Sequence, residues 1–470
     1  MIPQPTRIRS LTEAPFTLTA ATRIVAAPEL ARSASWFTTE LRRLTGLEIA
    51  TRDTESPAIR LSLVVGDAEL ATLPPTGGVR ADDADPDAER YALDIRESGI
   101  SLHAATAEGI FRGLTTLLQI VVTTEAGSDR SRTLPAVNIL DTPRFGWRGL
   151  SFDVVRTFYT PDEVRRVIDL LALYKANVLH LHLTDSEGWR LQIDSWPLLT
   201  EIGSKGAAAG RSGGFYTKDE YRDIVQYAAD RFITIVPEFD MPGHTAAIYE
   251  AYPELAGNGI DDPAAGLAQG RWFQVMHPDH PRIFAFITEV LTEIAELTPG
   301  AYIHIGGDEA LGMDEELYAR FIERAMPIVR DIGRKPLGWQ ETARAGLTSG
   351  DIAQLWISPR VGEGIDLTEI DFGNLPEAVD FPPEQAAQLI EAVMEMLKIA
   401  ALDLDKALDQ GANILVSQST EAYLDTQYLE SPSDPDQEAD WKRLGMPFYP
   451  KSTVAEFFSW DPASLRPTLK

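Results

Sequence analysis

The segment His304-Ile305-Gly306-Gly307-Asp308-Glu309 sets two carboxylates side by side behind a pair of glycines. Successive side chains of a regular strand point to opposite faces, so Asp308 and Glu309 can share one cavity only where the strand ends. The glycines allow the backbone distortion and close approach that such an ending requires. Adjacent carboxyls near an apolar wall raise each other's proton affinity, and a raised one can serve as a general acid. In a chain this acidic an isolated Asp-Glu pair is more often solvated surface, so the remaining candidates carry weight. Asp185 ends one apolar run, Glu238 and Asp240 end another, and His244 follows in Met241-Pro242-Gly243-His244. A carboxylate, an imidazole and a second carboxylate on neighbouring strands could form an Asp185–His244–Glu309 relay that sets the acid's proton affinity. Arg156 adds a fixed cation with forked donors suited to hydroxyls. Trp339, Trp356 and Tyr423 supply apolar faces, and the tyrosine also a hydroxyl donor. No His-x-x-x-His or paired His/Cys spacing occurs, and His180 and His182 both lie within a strand pattern, so no metal and no other cofactor is expected.

These residues need a scaffold that brings many strand ends together. From about residue 146 the pattern alternates strand and helix, with strand candidates at 149–155, 178–185, 233–240, 301–309, 335–341, 352–358 and 413–425. Two capping boxes, Thr160-Pro161-Asp162-Glu163 and Thr217-Lys218-Asp219-Glu220, open helices, and a further helix covers 281–297. After the first box, Val164, Val167, Ile168 and Leu171 recur at helical spacing. Repeated βαβ units build either a doubly wound sheet or a (β/α)8 barrel. No Gly-x-Gly-x-x-Gly follows a strand, which removes the dinucleotide site of the first. Charged and aromatic residues stand at the strands' carboxyl ends, where barrel enzymes keep their sites, so the expectation is an α/β fold of the TIM (β/α)8 type over 146–470. The stretch 361–410, with twelve acids against two lysines, reads as an acidic helical expansion between strands six and seven. Only 47 residues follow Tyr423, and no eighth strand with its helix can be placed in them.

Residues 1–140 read as a smaller α+β domain. Strand patterns fall at 16–26, 58–65, 91–96 and 99–105. A helix over 30–46 ends on Gly46, and 107–122 reads as a second, amphipathic helix. The acids of 81–89 form a polar loop.

Composition narrows the partners. The 470 residues are 44% hydrophobic and 24% charged, an ordinary globular balance that suggests about two or three domains. There is no cysteine, which excludes disulfides, thiolate metal sites and cysteine nucleophiles. With 71 acids against 42 bases the net charge is −29, a field that repels nucleic acid and anionic membranes. No apolar run approaches the ~18 residues of a membrane span. The start, MIPQPTRIRS, lacks the features of a signal peptide, which points to a cytoplasmic protein, although a secreted mature form would look the same. The expected partner is a neutral or cationic small molecule or polymer; a homodimer is left open.

The segments WRGLSFDVVRTFY (147–159), HLHLTDSEGWRLQI (180–193), VPEFDMPGHT (236–245), YIHIGGDE (302–309), GWQE (338–341), QLW (354–356) and YLD (423–425) together resemble glycoside hydrolase family 20, the β-N-acetylhexosaminidases, in order and spacing. The first 140 residues resemble the family's N-terminal α+β domain. The resemblance implies an exo-acting retaining hydrolase of terminal β-linked N-acetylglucosamine or N-acetylgalactosamine, acting on amino-sugar glycans or chitooligosaccharides through a substrate-assisted oxazolinium intermediate. It implies Glu309 as general acid and Asp308 as the residue that holds the acetamido N–H. Tyr423 would bond the acetamido oxygen, with Trp339, Trp356 and Tyr423 around the methyl group. Arg156 would bind the 3- and 4-hydroxyls and Asp425 a hydroxyl on the far rim, with Asp185 and His244 supporting Glu309.

The sequence departs from the family at its end. The Trp-x-Glu pair of an eighth strand has no candidate beyond Ser459-Trp460-Asp461-Pro462, and Thr157 stands where a His usually follows the arginine. Such a barrel would have an open edge. Three readings follow: a truncated chain acting as an impaired sugar-binding relic, a gap filled by a partner or by 361–410, or a naturally open pocket with another specificity such as disaccharide release.

Overall fold

Gly46 stops the first long helix, Ala31–Thr45, by taking φ 69° and donating its N–H to the Arg42 carbonyl at 2.8 Å, as its position past the periodic run predicts. The structure is a computed structural model that describes residues 1–51, 58–258, 271–357, 386–426, 428–430, 432–444 and 451–465. Contacts gather the chain into two compact units, Met1–Leu150 with Asp162–Leu179 and Ile224–Thr234, and Ser151–Pro161 with His180–Asp223 and Ile235–Lys470.

In the first unit a seven-stranded mixed sheet runs in the order Arg7–Ser10, Val137–Asp141, Tyr91–Arg96, Gly99–Ala104, Ala58–Leu63, Arg23–Val25, Ala50–Thr51. The single strand expected at 16–26 is two: Phe16–Leu18 pairs with Arg132–Leu134 outside this sheet, and Arg23–Val25 lies within it. A turn separates them, in which the Thr22 N–H reaches the Thr19 carbonyl at 3.0 Å and the Thr22 hydroxyl accepts from the Thr19 N–H at 3.1 Å. Strands Arg7–Ser10 and Val137–Asp141 were not among the strand patterns read from the sequence.

The second helix runs Ala107–Thr123, capped by the Thr106 hydroxyl on the Gly109 N–H at 3.0 Å. The sequence pattern makes it amphipathic, and in the structure every residue from Glu108 to Val121 is buried, its polar side included. Its apolar side joins the domain core with Leu93, Ile95, Leu102 and Ile139. Its polar stripe faces buried partners: Arg112 and Glu108 join Arg80 and Glu89, and Thr116 meets the Tyr91 hydroxyl. Periodicity registers which positions are polar, not whether water or another charge lies opposite them.

The other large sheet also has seven strands, β1 (Gly149–Asp153), β2 (Val178–His182), β3 (Thr234–Glu238), β4 (Tyr302–His304), β5 (Lys335–Trp339), β6 (Ile352–Leu355) and β7 (Asn413–Val416), each hydrogen-bonded to the next in chain order. The pairings from β3 through β7 are parallel. This is the curled sheet of a TIM-type barrel with seven of its eight strands, preceded by a smaller N-terminal domain, and no eighth strand follows among the described residues. Helices Pro161–Leu173 and Lys218–Ala229 follow the two predicted starts. At the second, the Thr217 and Glu220 side chains exchange hydrogen bonds with each other's backbone N–H at 3.2 and 2.9 Å.

Several strands stop earlier than expected, because the backbone turns where the polar residues begin. The run 178–185 ends as a barrel strand at His182, and Asp185 instead opens a tight hairpin, pairing with Gly188. The run 413–425 ends at Val416; Tyr423 follows a short helix, Ser419–Ala422, rather than lying on β7. Trp356 sits one residue beyond β6 rather than on it. Of the acidic expansion at 361–410, helices Ala386–Ala400 and Asp403–Asp409 are described, and its first part lies outside the described residues. Among the described residues no helix is long and apolar enough to cross a membrane.

Candidate active site

β4 ends at His304, and the next residues leave regular strand geometry as the double glycine predicts. Gly306 takes φ 67° and Gly307 φ 102°, while Glu309 itself is held at φ 44° and His244 at φ 55°. The Gly307 N–H donates to Asp240 Oδ1 at 3.3 Å, and the Tyr318 hydroxyl donates to the Gly307 carbonyl at 2.6 Å. A Cβ on Gly306 would lie 1.7 Å from Asp240 Oδ1 and 2.7 Å from its Cα. Gly306→Ala is therefore expected to lower stability by more than the ~1–3 kcal/mol of left-handed strain and to displace the following pair, reducing activity with it. Urea unfolding and a rate assay check this, and a variant as stable and active as the parent contradicts it.

Distortion brings Asp308 and Glu309 to one imidazole. His244 Nε2 stands 3.6 Å from Asp308 Oδ2 and 3.6 Å from Glu309 Oε2, beyond hydrogen-bond length, and has no other partner. Its Nδ1 meets Asp185 Oδ1 at 3.0 Å. Asp185, His244 and Glu309 thus stand in the order the sequence suggested, with Asp308 sharing the imidazole equally. The chain continues inward: His182 Nε2 meets Asp185 Oδ2 at 2.8 Å, and His182 Nδ1 meets Glu238 Oε2 at 2.6 Å. His180 also reaches Glu238 at 2.9 Å, and His304 faces its other oxygen at 3.2 Å.

Carboxylates and imidazoles alternate along this chain. Burial opposes ionisation of Glu238 and Asp185, yet the surrounding imidazoles His304, His182 and His180 hold Glu238 well below the usual carboxylate range, and Arg156 and His244 do the same for Asp185. Against burial, Asp185, Asp240 and Asp308 hold His244 well above the usual imidazole value. Burial pushes Asp308 up to about 6; His244 pulls it down and the Glu309 charge adds to the rise. Asp240 is driven well above its ordinary value by burial and by Asp308.

Arg156 stands just past β1, where Asp153 Oδ1 accepts the N–H groups of Val155 and Arg156 at 2.8 and 2.9 Å and so shapes the turn. Its guanidinium is pinned by Asp153 at 2.8 Å and Asp185 at 2.7 Å. Trp339, the last residue of β5, donates its indole N–H to Glu238 at 3.0 Å. Trp356 donates to Glu341 at 3.1 and 3.2 Å. Tyr423 is half-buried, and Asp425 is exposed within electrostatic reach of Arg156.

Residues 145–372 match the family model of the glycosyl hydrolase family 20 catalytic domain, and residues 1–142 that of the family's domain 2. A β-N-acetylhexosaminidase of Cellulomonas fimi is 35% identical over 473 residues, spanning 99% of this chain and 81% of that protein. The chain belongs to glycosyl hydrolase family 20. The solved family-20 β-N-acetylhexosaminidase of Streptomyces coelicolor A3(2) is similar with a TM-score of 0.74 at 31% identity, covering 98% of this chain and 82% of that one. A mutant β-hexosaminidase of Streptomyces plicatus, solved with its product GlcNAc, is similar with a TM-score of 0.73 at 32% identity, over 98% of this chain and 81% of that one.

In this family-20 glycosidase the site holds more ionisable groups than the sequence reading named for it. His180 and His182 share a face because strand side chains repeat every two residues, a signal that was legible; they were read only as poor metal ligands. Among the described residues three ligand groupings lie close enough for an ion, His180–Glu238–His304, His182–Glu238–Asp240 and Asp240–His244–Asp308. In the first two, hydrogen-bond contacts between imidazole and carboxylate already account for the closeness. Glu341, beside β5, is pushed well above the usual carboxylate range by burial and by Asp308, and it accepts from the Trp356 indole. Arg190 was also unforeseen. It is fully buried and donates to the carbonyls of Val154, Val155, Ser204, Gly206 and Gly214, which fixes the loop leading to Arg156. Among the described residues Arg156, Asp185, Ser186, Glu187, His244 and Glu309 line a common pocket.

Proposed function

We propose that this glycosidase removes terminal β-linked N-acetylglucosamine or N-acetylgalactosamine from glycans such as chitooligosaccharides, with retention, through an oxazolinium intermediate. The observation that carries the reading is the pair Asp308–Glu309 turned toward one buried imidazole at 3.6 Å each. The similarity to hexosaminidases, one of them solved with GlcNAc, supports the sugar.

Glu309 protonates the leaving glycosidic oxygen while the substrate's own acetamido oxygen attacks the anomeric carbon, so no enzyme carboxylate forms a covalent bond. The neighbouring group is already in place, which removes the entropic cost of an encounter. Asp308 accepts the acetamido N–H and faces the positive charge that develops on the ring being formed. When Glu309 gives up its proton, His244, whose proton affinity Asp185 raises against burial, already faces the new carboxylate. Water then loses a proton to Glu309 and opens the oxazolinium from the face the leaving group vacated. Trp339, Trp356 and Tyr423 enclose the acetamido methyl, Tyr423 bonds the acetamido oxygen, and Arg156 and Asp425 hold ring hydroxyls.

The test is release of nitrophenol from an aryl N-acetyl-β-D-glucosaminide by the folded chain. Turnover supports the reading, and a folded chain without turnover on either amino sugar removes it. The mechanism also fixes a pH limb. Asp308 must be ionised to accept the N–H, and its carboxyl titrates at about 6. As pH falls through that value the neutral form accumulates, so kcat/KM is expected to fall on the acid side with an inflection near 6. Asp308→Asn should lose that inflection; a variant that keeps it assigns the limb to another group.

A further inference from the structure

Glu187 occupies the turn of the hairpin that Asp185 opens, between Thr184–Asp185 and Gly188–Trp189. It is two residues from Asp185, and its carboxyl lines the same pocket as Arg156, His244 and Glu309. The side chain is 9% exposed, yet its Oε2 has no hydrogen-bond partner. The nearest cation is Arg156, whose Nε lies 4.0 Å away, too far for a hydrogen bond. The other carboxylates around this cation are matched: Asp153 accepts two backbone N–H groups and Arg156, and Asp185 takes Arg156 and two imidazoles.

A buried carboxyl oxygen without a donor is costly to leave unmet. Burial and the Asp185 charge hold this carboxyl up at about 7, against Arg156 and Arg271, which marks it as poorly solvated in the free enzyme. Glu187 and Arg156 together give the pocket wall an acceptor beside a forked donor. A sugar hydroxyl both donates and accepts, so a ring hydroxyl set against this wall satisfies both residues at once.

We propose that Glu187 is a specificity-determining residue that accepts a hydrogen bond from a ring hydroxyl of the terminal sugar, acting beside Arg156. This rests on the reading of the site as an N-acetylhexosaminidase. It adds to that reading a contact that selects sugars with a free hydroxyl at the position Glu187 meets.

The experiment compares the full chain with Glu187→Ala and Glu187→Gln on an aryl N-acetyl-β-D-glucosaminide and on its 3-deoxy, 4-deoxy and 6-deoxy analogues. On the parent glycoside, Glu187→Ala is expected to lower kcat/KM about ten- to a hundredfold, the range for a lost hydrogen bond to a charged group. Glu187→Gln keeps an acceptor oxygen and should lose less. On one of the three analogues the parent enzyme should suffer a loss of similar size, and there the substitutions should cost little more. An equal loss in the variants on all four glycosides, or no loss on any, overturns the proposal, because the residue then contacts no ring hydroxyl of that sugar. If Glu187→Ala does not fold, the near-isosteric Glu187→Gln carries the same comparison. Failure of the unsubstituted enzyme on the parent glycoside removes the proposed function itself, and so is distinguishable from failure at Glu187.

Discussion

Glu309→Gln is expected to lower kcat on an aryl N-acetyl-β-D-glucosaminide by at least ~100-fold, and Asp308→Asn by as much, the low end for lost acid–base or charge-stabilising groups. The two losses should differ in kind. An amide at 309 retains the shape of the side chain and its place 3.6 Å from His244, but has no proton to deliver and cannot take one from water. Its deficit should shrink on glycosides whose leaving group departs without protonation, such as a dinitrophenyl glycoside. An amide at 308 removes the charge that faces the developing oxazolinium, and leaving-group acidity does not replace it. Its deficit should persist across the aryl series. Near-parental rates in either variant, or the same leaving-group dependence in both, would contradict the assignment of roles. Both variants are expected to fold, because neither side chain holds up a neighbour by a hydrogen bond: Asp308 Oδ1 has no partner, and both carboxylates stand beyond hydrogen-bond length from His244.

Glu89→Ala is expected to cost about 3–5 kcal/mol, a large share of the roughly 5–15 kcal/mol that holds a typical domain folded. Glu89 is 2% exposed and accepts from Arg80 at 2.8 Å, Arg112 at 2.7 Å, Arg148 at 2.5 Å and Asn177 at 3.2 Å. Alanine leaves the buried guanidiniums of Arg80 and Arg112 and the partly buried one of Arg148 each short of a partner, and opens a cavity among them. Glu89→Gln keeps the volume but loses the charge, and should fall between. Urea unfolding at pH 7 measures both. The pH dependence has a definite sign. Although burial opposes it, Arg112, Arg148 and Arg80 hold the Glu89 carboxyl below its ordinary 4.5, so its stabilisation is fully present above that value and is lost as pH falls through the lower, folded-state value. The gap between parent and variant should therefore be widest near neutrality and narrow below pH 4.5. A constant gap down to acid would mean that packing, not charge, is what Glu89 contributes.

The same cluster shows where sequence reading stops. The acids at 81–89 read as a polar loop, and 107–122 as an amphipathic helix. Each is half of one buried network, in which Arg80 binds Asp82, Glu89 and Glu108. Local pattern contains the charges but not their partners, which lie 9 and 28 residues from Arg80. For the same reason Glu187 has no sequence mark: it is one more acid among 71 until the fold leaves its oxygen buried and unpaired.

By itself the sequence determined what depends on local chemistry. Alternating strand and helix patterns, caps and loop residues specified the barrel strands and the helices between them, because backbone preference and burial period are properties of neighbours along the chain. The double glycine announced a strand end bent enough to set Asp308 beside Glu309, and both glycines do take positive φ. Tertiary structure alone decided what depends on distance across the fold. It ended β2 at His182 and moved Asp185 into a hairpin, and it put Tyr423 past a short helix instead of on β7. It also joined Glu238, His182, Asp185 and His244 into one hydrogen-bonded line behind the acids. The proton affinities along that line arise from burial and from charges that only the closed chain brings within a few ångströms, and no spacing along the sequence contains them.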